Sequence, residues 1–169
     1  MIPNSLLPEG TSYCIAGGWA ACPALASDKD VWVFTEEVLS GDIGHRREEL
    51  LKHLEAEGYD FVPQDEERDA CGYEGVISIL RVAKVEVPGD LPIHLIVTTA
   101  KDAFDLIDSF DISTHQVALS SRGHVIKGGM FTPTTVPPIR LKDTPTTPER
   151  LRKIAARYGH PSPLSILEP

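Results

Sequence analysis

The sequence predicts an α/β protein of the α+β type, with a mixed, mainly antiparallel sheet and helices packed on it. Two β-rich runs, Val76–Val87 and Ile93–Thr98, flank the turn Pro88-Gly89-Asp90, which is the signature of an antiparallel return. Two other segments, Arg46–Glu57 and Asp102–Phe110, carry apolar residues at helical spacing. Strands and helices do not alternate regularly, as a doubly wound parallel sheet requires. The 169 residues are 41 % apolar and 24 % charged, enough for one domain with a core of its own.

Thr11–Ile15 is β-branched and aromatic and runs into Gly17-Gly18, so it predicts a strand ending in a tight turn. Trp19–Leu25 predicts a short helix weakened by Pro23. Asp30–Phe34 (DVWVF) predicts a strand. In Arg46–Glu57, Leu50, Leu51, Leu54 and Ala56 sit near helical spacing and Gly58 stops the helix. Phe61-Val62 reads as a strand fragment, and Gln64–Gly72 (QDEERDACG) as a polar loop. Val76–Val87 predicts one long strand, or two with a bulge. In Asp102–Phe110 the apolar face is Ala103, Leu106, Ile107 and Phe110, and Gln116–Leu119 with His124–Ile126 predicts a further hairpin across Ser-Ser-Arg-Gly. Residues 1–128 then form the main domain. Residues 129–169 form a proline-rich extension ending in a short helix from about Pro148 to Tyr158. Prolines 133, 137, 138 and 145 remove backbone donors and favour extended chain over 129–146.

Three cysteines, Cys14, Cys22 and Cys71, without CxxC spacing argue against a disulfide framework or structural zinc, and for a reducing, cytoplasmic compartment. The start MIPNSLLPEG lacks the features of a signal peptide, and no apolar run is long enough for a membrane span, so no membrane is expected as a partner. The net charge of −9 excludes a sequence-independent duplex binder with a broad basic footprint. Residues 28–69 hold 14 acidic against 5 basic residues, whereas 122–169 hold 8 basic against 3 acidic. The basic set Arg150, Arg152, Lys153 and Arg157 reads as a solvated helix face, with phosphate contact as the alternative.

The chemistry-bearing stretch is Ile15-Ala16-Gly17-Gly18-Trp19 followed by Ser27-Asp28-Lys29-Asp30-Val31-Trp32-Val33-Phe34. Glycines let backbone amides approach a phosphate closely. Carboxylates at i and i+2 of a strand project from one face, as needed to hold Mg2+ beside a triphosphate. In this order of elements the chain resembles the polymerase-beta-type nucleotidyltransferase superfamily, notably the head domain of CCA-adding enzymes and poly(A) polymerases. Ser109-Phe110-Asp111-Ile112-Ser113 before Gln116-Val117-Ala118-Leu119 resembles the D-F-T-I-N type segment of those proteins.

The resemblance spans roughly residues 11–127. It implies a nucleotidyltransferase-like fold that moves a nucleotidyl group from a nucleoside triphosphate to a hydroxyl, with Mg2+ as cofactor and RNA or a protein as acceptor. It puts Asp28 and Asp30 at the catalytic metal, Glu86 as a third ligand, and Gly17, Gly18 and Asp111 at the nucleotide. Two registers stay open: Asp30 with Trp32 at the family's second acidic position, or Asp28 with Asp30 across Lys29. His94 is another inward position on a neighbouring strand, read either as a ligand or as a structural histidine. Trp19–Leu25 lacks the arginine-aspartate pair usual in the family's helix. A catalytically degenerate binding module of the same fold is therefore the second expectation.

Overall fold

The computed structural model describes residues 2–35, 43–142 and 144–160. Among them, seven strands form one sheet: β1 (Tyr13–Ala16), β2 (Lys29–Phe34), β3 (Asp60–Gly72), β4 (Gly75–Glu86), β5 (Ile93–Thr98), β6 (Val117–Ser120) and β7 (Val125–Lys127). Four α-helices accompany them: α1 (Gly18–Ala21), α2 (Ile43–Ala56), α3 (Ala103–Asp108) and α4 (Thr147–Arg157). The strand order is β3-β4-β5-β2-β1-β6-β7. Only β2 and β5 pair in parallel; the other neighbours are antiparallel. The mixed, mainly antiparallel sheet and the hairpin turns at Pro88-Gly89-Asp90 and Ser120–His124 follow the sequence expectation.

Alternation along the central strands divides the apolar residues between two layers. Ile15, Val31, Val33, Leu95 and Val97 face the layer closed by Leu50 and Leu54 of α2. Cys14, Ala16, Trp32, Phe34, Ile79 and Ile96 face the opposite layer, closed by Leu106 and Ile107 of α3. A register shift between Arg81 and Ala83 keeps both Val82 and Ala83 in the α2 layer while Arg81 follows Ile77 and Ile79 onto the other face.

Two expectations need correction. Gln64–Gly72 is not a loop: it is the greater part of β3, which pairs with β4 to its end at Gly72↔Gly75. As an edge strand, β3 is largely solvent-exposed and requires no apolar alternation; its charges suit an unpaired edge. Pro63 sits beside the irregularity between Pro63 and Glu66, where an edge strand tolerates it. Trp19–Leu25 is not one helix, because Pro23 cannot continue the hydrogen bonding of α1 and opens a separate 3-10 turn, Pro23–Leu25.

The described part of the proline-rich extension before α4 forms no strand or helix, turns at residues 129–130 and 134–135, and folds back over the domain; residues 143 and 161–169 lie outside the described residues. Ser113 N–H donates to the Ile139 carbonyl and Leu141 N–H to the Asp111 carbonyl, around a bridge between Ile112 and Arg140. Helix α4 then places Leu151, Ile154 and Ala155 on Ile112, all buried.

Candidate functional site

Three features meet on the face of the sheet opposite α2, at the end where β1 closes and β2 begins. The first is the glycine turn. Gly17 has φ 98°, a left-handed conformation that costs a side-chain-bearing residue more than glycine. A Cβ at Gly17 would lie 3.7 Å from Asp30 Oδ2, so the carboxylate borders the space that a side chain on the turn would fill. The Gly17 amide donates to the Val117 carbonyl, which ties the turn to β6. The next amides open α1 and have no intrahelical acceptor.

The second feature is the acidic pair. Asp28 precedes β2 and Asp30 lies within it, two residues apart and on one face. In the parallel register Asp30 faces His94 of β5. His94 Nε2 lies 3.2 Å from Asp28 Oδ2, while its buried Nδ1 has no hydrogen-bond partner among the described residues. That hydrogen bond from His94 holds the Asp28 carboxyl below its ordinary value. Asp30 behaves oppositely: burial, then the charge of Asp28, push its carboxyl up to about 6, against the opposing pull of His94, Arg81 and Arg150. Lys29, between them, points into the other layer, where it pairs with Asp90 at 2.9 Å and lies 5.1 Å from the Trp19 ring centre.

The third feature is a set of basic side chains from distant segments. Arg157 of α4 reaches the turn, with Nη1 3.7 Å from where a Cβ of Gly18 would be, and His115 lies at 3.8 Å from the same point. His115 Nε2 is 3.3 Å from the Tyr158 hydroxyl. Burial, followed by the charges of Arg150 and Arg157, lowers the His115 imidazole to about 4, so it is neutral at neutral pH. Arg150 Nη1 sits 2.6 and 2.8 Å from the two oxygens of Asp111.

Among the expected site residues, the fold therefore brings together Gly17, Gly18, Asp28 and Asp30, with His94 beside them. Asp111 is buried, and both oxygens are engaged, by Arg150 and by the Thr147 hydroxyl at 2.7 Å, so it anchors α4. Burial raises its carboxyl, but these partners hold it below its ordinary value. Glu86 ends β4 and is exposed, in a groove with Glu57, Tyr59 and Asp60. The charges acting most strongly on Asp30 are Asp28, His94, Arg81 and Arg150. Trp32 is 4 % exposed, donates its indole N–H to the Ala16 carbonyl and packs on Phe110 at 5.4 Å. That leaves Asp28 with Asp30 as the acidic pair open to the site.

Residue-by-residue reading missed Arg81 and His115 as parts of this constellation and named Arg157 only within a basic helix face, with phosphate contact as the alternative. For Arg81 a signal existed: it continues the inward alternation of Ile77 and Ile79, where a guanidinium is out of place unless the face is polar there. His115 carries no such mark, and the return of α4 is what brings Arg157 to the turn.

Among the described residues, no set of three or more His, Cys, Asp or Glu side chains converges as a metal cage. Two carboxylates nevertheless match the way Mg2+ is commonly held, with water and substrate phosphates completing its shell. No hydrogen bond to the Asp30 carboxylate is found among the described residues, and Asp28 repels it; a cation between them would relieve both conditions. No protein-family model matches the chain, and no curated protein is similar to it in sequence.

Proposed function

We propose that this protein binds a nucleoside triphosphate with Mg2+ at Gly17-Gly18, Asp28 and Asp30 and transfers its nucleotidyl group to a hydroxyl acceptor, as its resemblance to the nucleotidyltransferases implies. The observation that carries this reading is the Asp30 carboxylate beside the side-chain-free space of the glycine turn, with Asp28 on the same strand face. Bound Mg2+ would be held by Asp28 and Asp30 and would neutralise charge on the triphosphate. The first amides of α1, which have no intrahelical acceptor, and the Arg157 guanidinium would provide donors for phosphate oxygens on the opposite side. Neutral His115 fills the space behind the turn without adding charge. Transfer forms a bond from the acceptor oxygen to the α-phosphorus and breaks the α–β bridge, releasing pyrophosphate and a proton.

A second reading has its own support. The buried Trp32 occupies the alternative acidic position and His94 engages Asp28, a pattern that suits a nucleotide-binding module without turnover. One experiment separates the two. Tryptophan fluorescence is followed as each nucleoside triphosphate is titrated in with and without Mg2+, and pyrophosphate release is measured in parallel with hydroxyl acceptors. A Mg2+-dependent response with release supports transfer, with Asp30→Asn lowering turnover about a hundredfold or more. Saturable binding without release supports the module. No response to any triphosphate, or full Mg2+-dependent turnover by Asp30→Asn, refutes the assignment of this site.

A further inference from the structure

Arg157 is the last residue of α4 and Tyr158 its C-cap. A cation in the last turn complements the helix dipole wherever its side chain points. Here the chain that follows fixes the direction. Gly159 takes φ 82°, the left-handed conformation that ends a helix, and its amide donates to the Ala156 carbonyl at 3.1 Å. The His160 amide donates to the Ala155 carbonyl at 2.7 Å, and His160 Nε2 lies 2.9 Å from the Thr134 carbonyl oxygen. Tyr158 is gripped along its whole side chain. Its ring packs on the cluster of Ile112, Leu151, Ile154 and Ala155, and its hydroxyl is hydrogen-bonded to His115 Nε2 at 3.3 Å. The two rings meet edge-on, with centres 6.3 Å apart.

His115 is buried, with Cε1 3.8 Å from where a Cβ of Gly18 would stand, and Arg157 Nη1 lies 3.7 Å from the same point. Imidazole and guanidinium thus border one space that Gly18 leaves open, and the residue next to the arginine holds the imidazole. Within α4, Arg150 pairs with Asp111 and Lys153 with Glu149, whereas Arg157 forms no ion pair among the described residues. A long side chain loses freedom when it binds an anion, and fixing its backbone beforehand lowers that cost. We infer that Tyr158 and His115 are positioning residues that hold the end of α4 against the glycine turn and so keep the Arg157 guanidinium beside Gly18 for an anion bound there. Arg157 and Tyr158 lie beyond residues 11–127, the span of the resemblance. The inference rests on the proposed function for the identity of the anion, a triphosphate; the holding of Arg157 does not depend on it.

The test uses the full chain and the variant Tyr158→Phe, which keeps the ring in its cluster and removes only the hydroxyl; urea denaturation checks that it folds. Without ligand, NMR relaxation of the Arg157 Nε–Hε group, assigned by its absence from Arg157→Gln, should show an ordered side chain in the wild type and a mobile one in Tyr158→Phe. Calorimetry then measures binding of Mg2+–ATP and of Mg2+–tripolyphosphate, which has no base. Arg157→Gln should weaken both about tenfold or more, and Tyr158→Phe about three- to tenfold. Added to Arg157→Gln, Tyr158→Phe should cost no further affinity, a coupling that a merely structural role of the hydroxyl would not produce. Unchanged order of Arg157 in Tyr158→Phe overturns the inference, as does an equal loss from Tyr158→Phe with and without Arg157. If neither probe binds the wild type, the proposed function is refuted, and the relaxation measurement by itself upholds or overturns the holding of Arg157.

Discussion

Asp30 and His115 lie on either side of the glycine turn and titrate with opposite consequences. The folded state raises the Asp30 carboxyl to about 6, through burial and then the charge of Asp28. It therefore binds the proton more tightly than the unfolded chain does. Stability falls as pH rises from about 4 to 6, and the penalty persists above that. For His115 the folded state lowers the imidazole to about 4, so stability falls as pH drops from about 6.5 to 4. Across this shared window the two effects oppose each other in the wild type. Asp30→Asn removes the acidic half. At pH 8 it should be more stable than wild type by on the order of 1–2 kcal/mol, and below pH 4 the advantage should vanish. Urea denaturation from pH 4 to 8 measures both ends, and an Asp30→Asn curve parallel to wild type throughout would refute the origin given for the shift. The same ionisation governs the proposed cation site, where Mg2+ affinity should rise with pH through about 6. Trp32→Asp, which restores the alternative acidic register, exchanges a packed indole for a carboxylate in the α3 layer. It should cost about 3–5 kcal/mol, measured by thermal or urea unfolding, and so is a poor route to a second metal ligand.

At the scale of elements, the long β3–β4 hairpin is held by one buried carboxylate at its tip. Asp105 of α3 accepts from the Glu74 amide at 2.8 Å and from the Lys101 amide at 3.0 Å. A Cβ at Gly72 would stand 2.7 Å from the Asp105 carbonyl oxygen, so the hairpin approaches α3 as closely as only glycine allows. Tyr73 meets Phe104 edge-on at 5.6 Å beside this contact. Asp105→Ala leaves two amides without their acceptor and should cost about 2–3 kcal/mol. Hydrogen exchange should accelerate in Arg68–Ser78 more than in β2 or β5; uniform acceleration would mean that the tip is not held separately. This element also marks where sequence reasoning fails. β2 and β5 were legible because both of their faces are buried and they read as short continuous apolar runs, and β4 because its apolar residues recur along the strand. β3 buries almost nothing, and its pairing is recorded in β4 rather than in its own residues. Asp102 and Asp105 show the same division. Asp102 caps α3 by accepting from the Asp105 amide, a local device visible in the sequence, whereas the Asp105 carboxylate is committed to a hairpin that no spacing reveals.

For the whole molecule, the candidate site divides by sequence distance in the same way. Gly17, Gly18, Asp28 and Asp30 fall within one strand–turn–helix–strand passage, and their order alone suggested a site. Arg81, Arg150 and Arg157 come from the edge hairpin and the last helix, so only the assembled sheet brings them near the carboxylates. The C-terminal segment is thus where site and stability meet. It covers Ile112, which is fully buried, with Leu151, Ile154 and Ala155. It satisfies Asp111 through Thr147 and Arg150, and its backbone closes hydrogen bonds with residues 111 and 113. A chain ending at residue 128 loses all of these together. Burial of two large aliphatic side chains contributes about 1.5–3 kcal/mol each, and the uncovered Asp111 and Ile112 add to the loss. The shortened chain should therefore be less stable by on the order of 3–5 kcal/mol, a large share of the 5–15 kcal/mol typical of a domain. Strand content in far-ultraviolet circular dichroism should persist, because β1–β7 all precede the cut. His115 would lose Tyr158 and the neighbouring Arg150 and Arg157, so its imidazole should move up toward the ordinary histidine value, read by NMR titration. An unchanged urea midpoint together with an unchanged His115 titration would mean that residues 129–169 are an appendage. A large fall in midpoint with recovered histidine basicity would mean that the segment completes the core and walls the site.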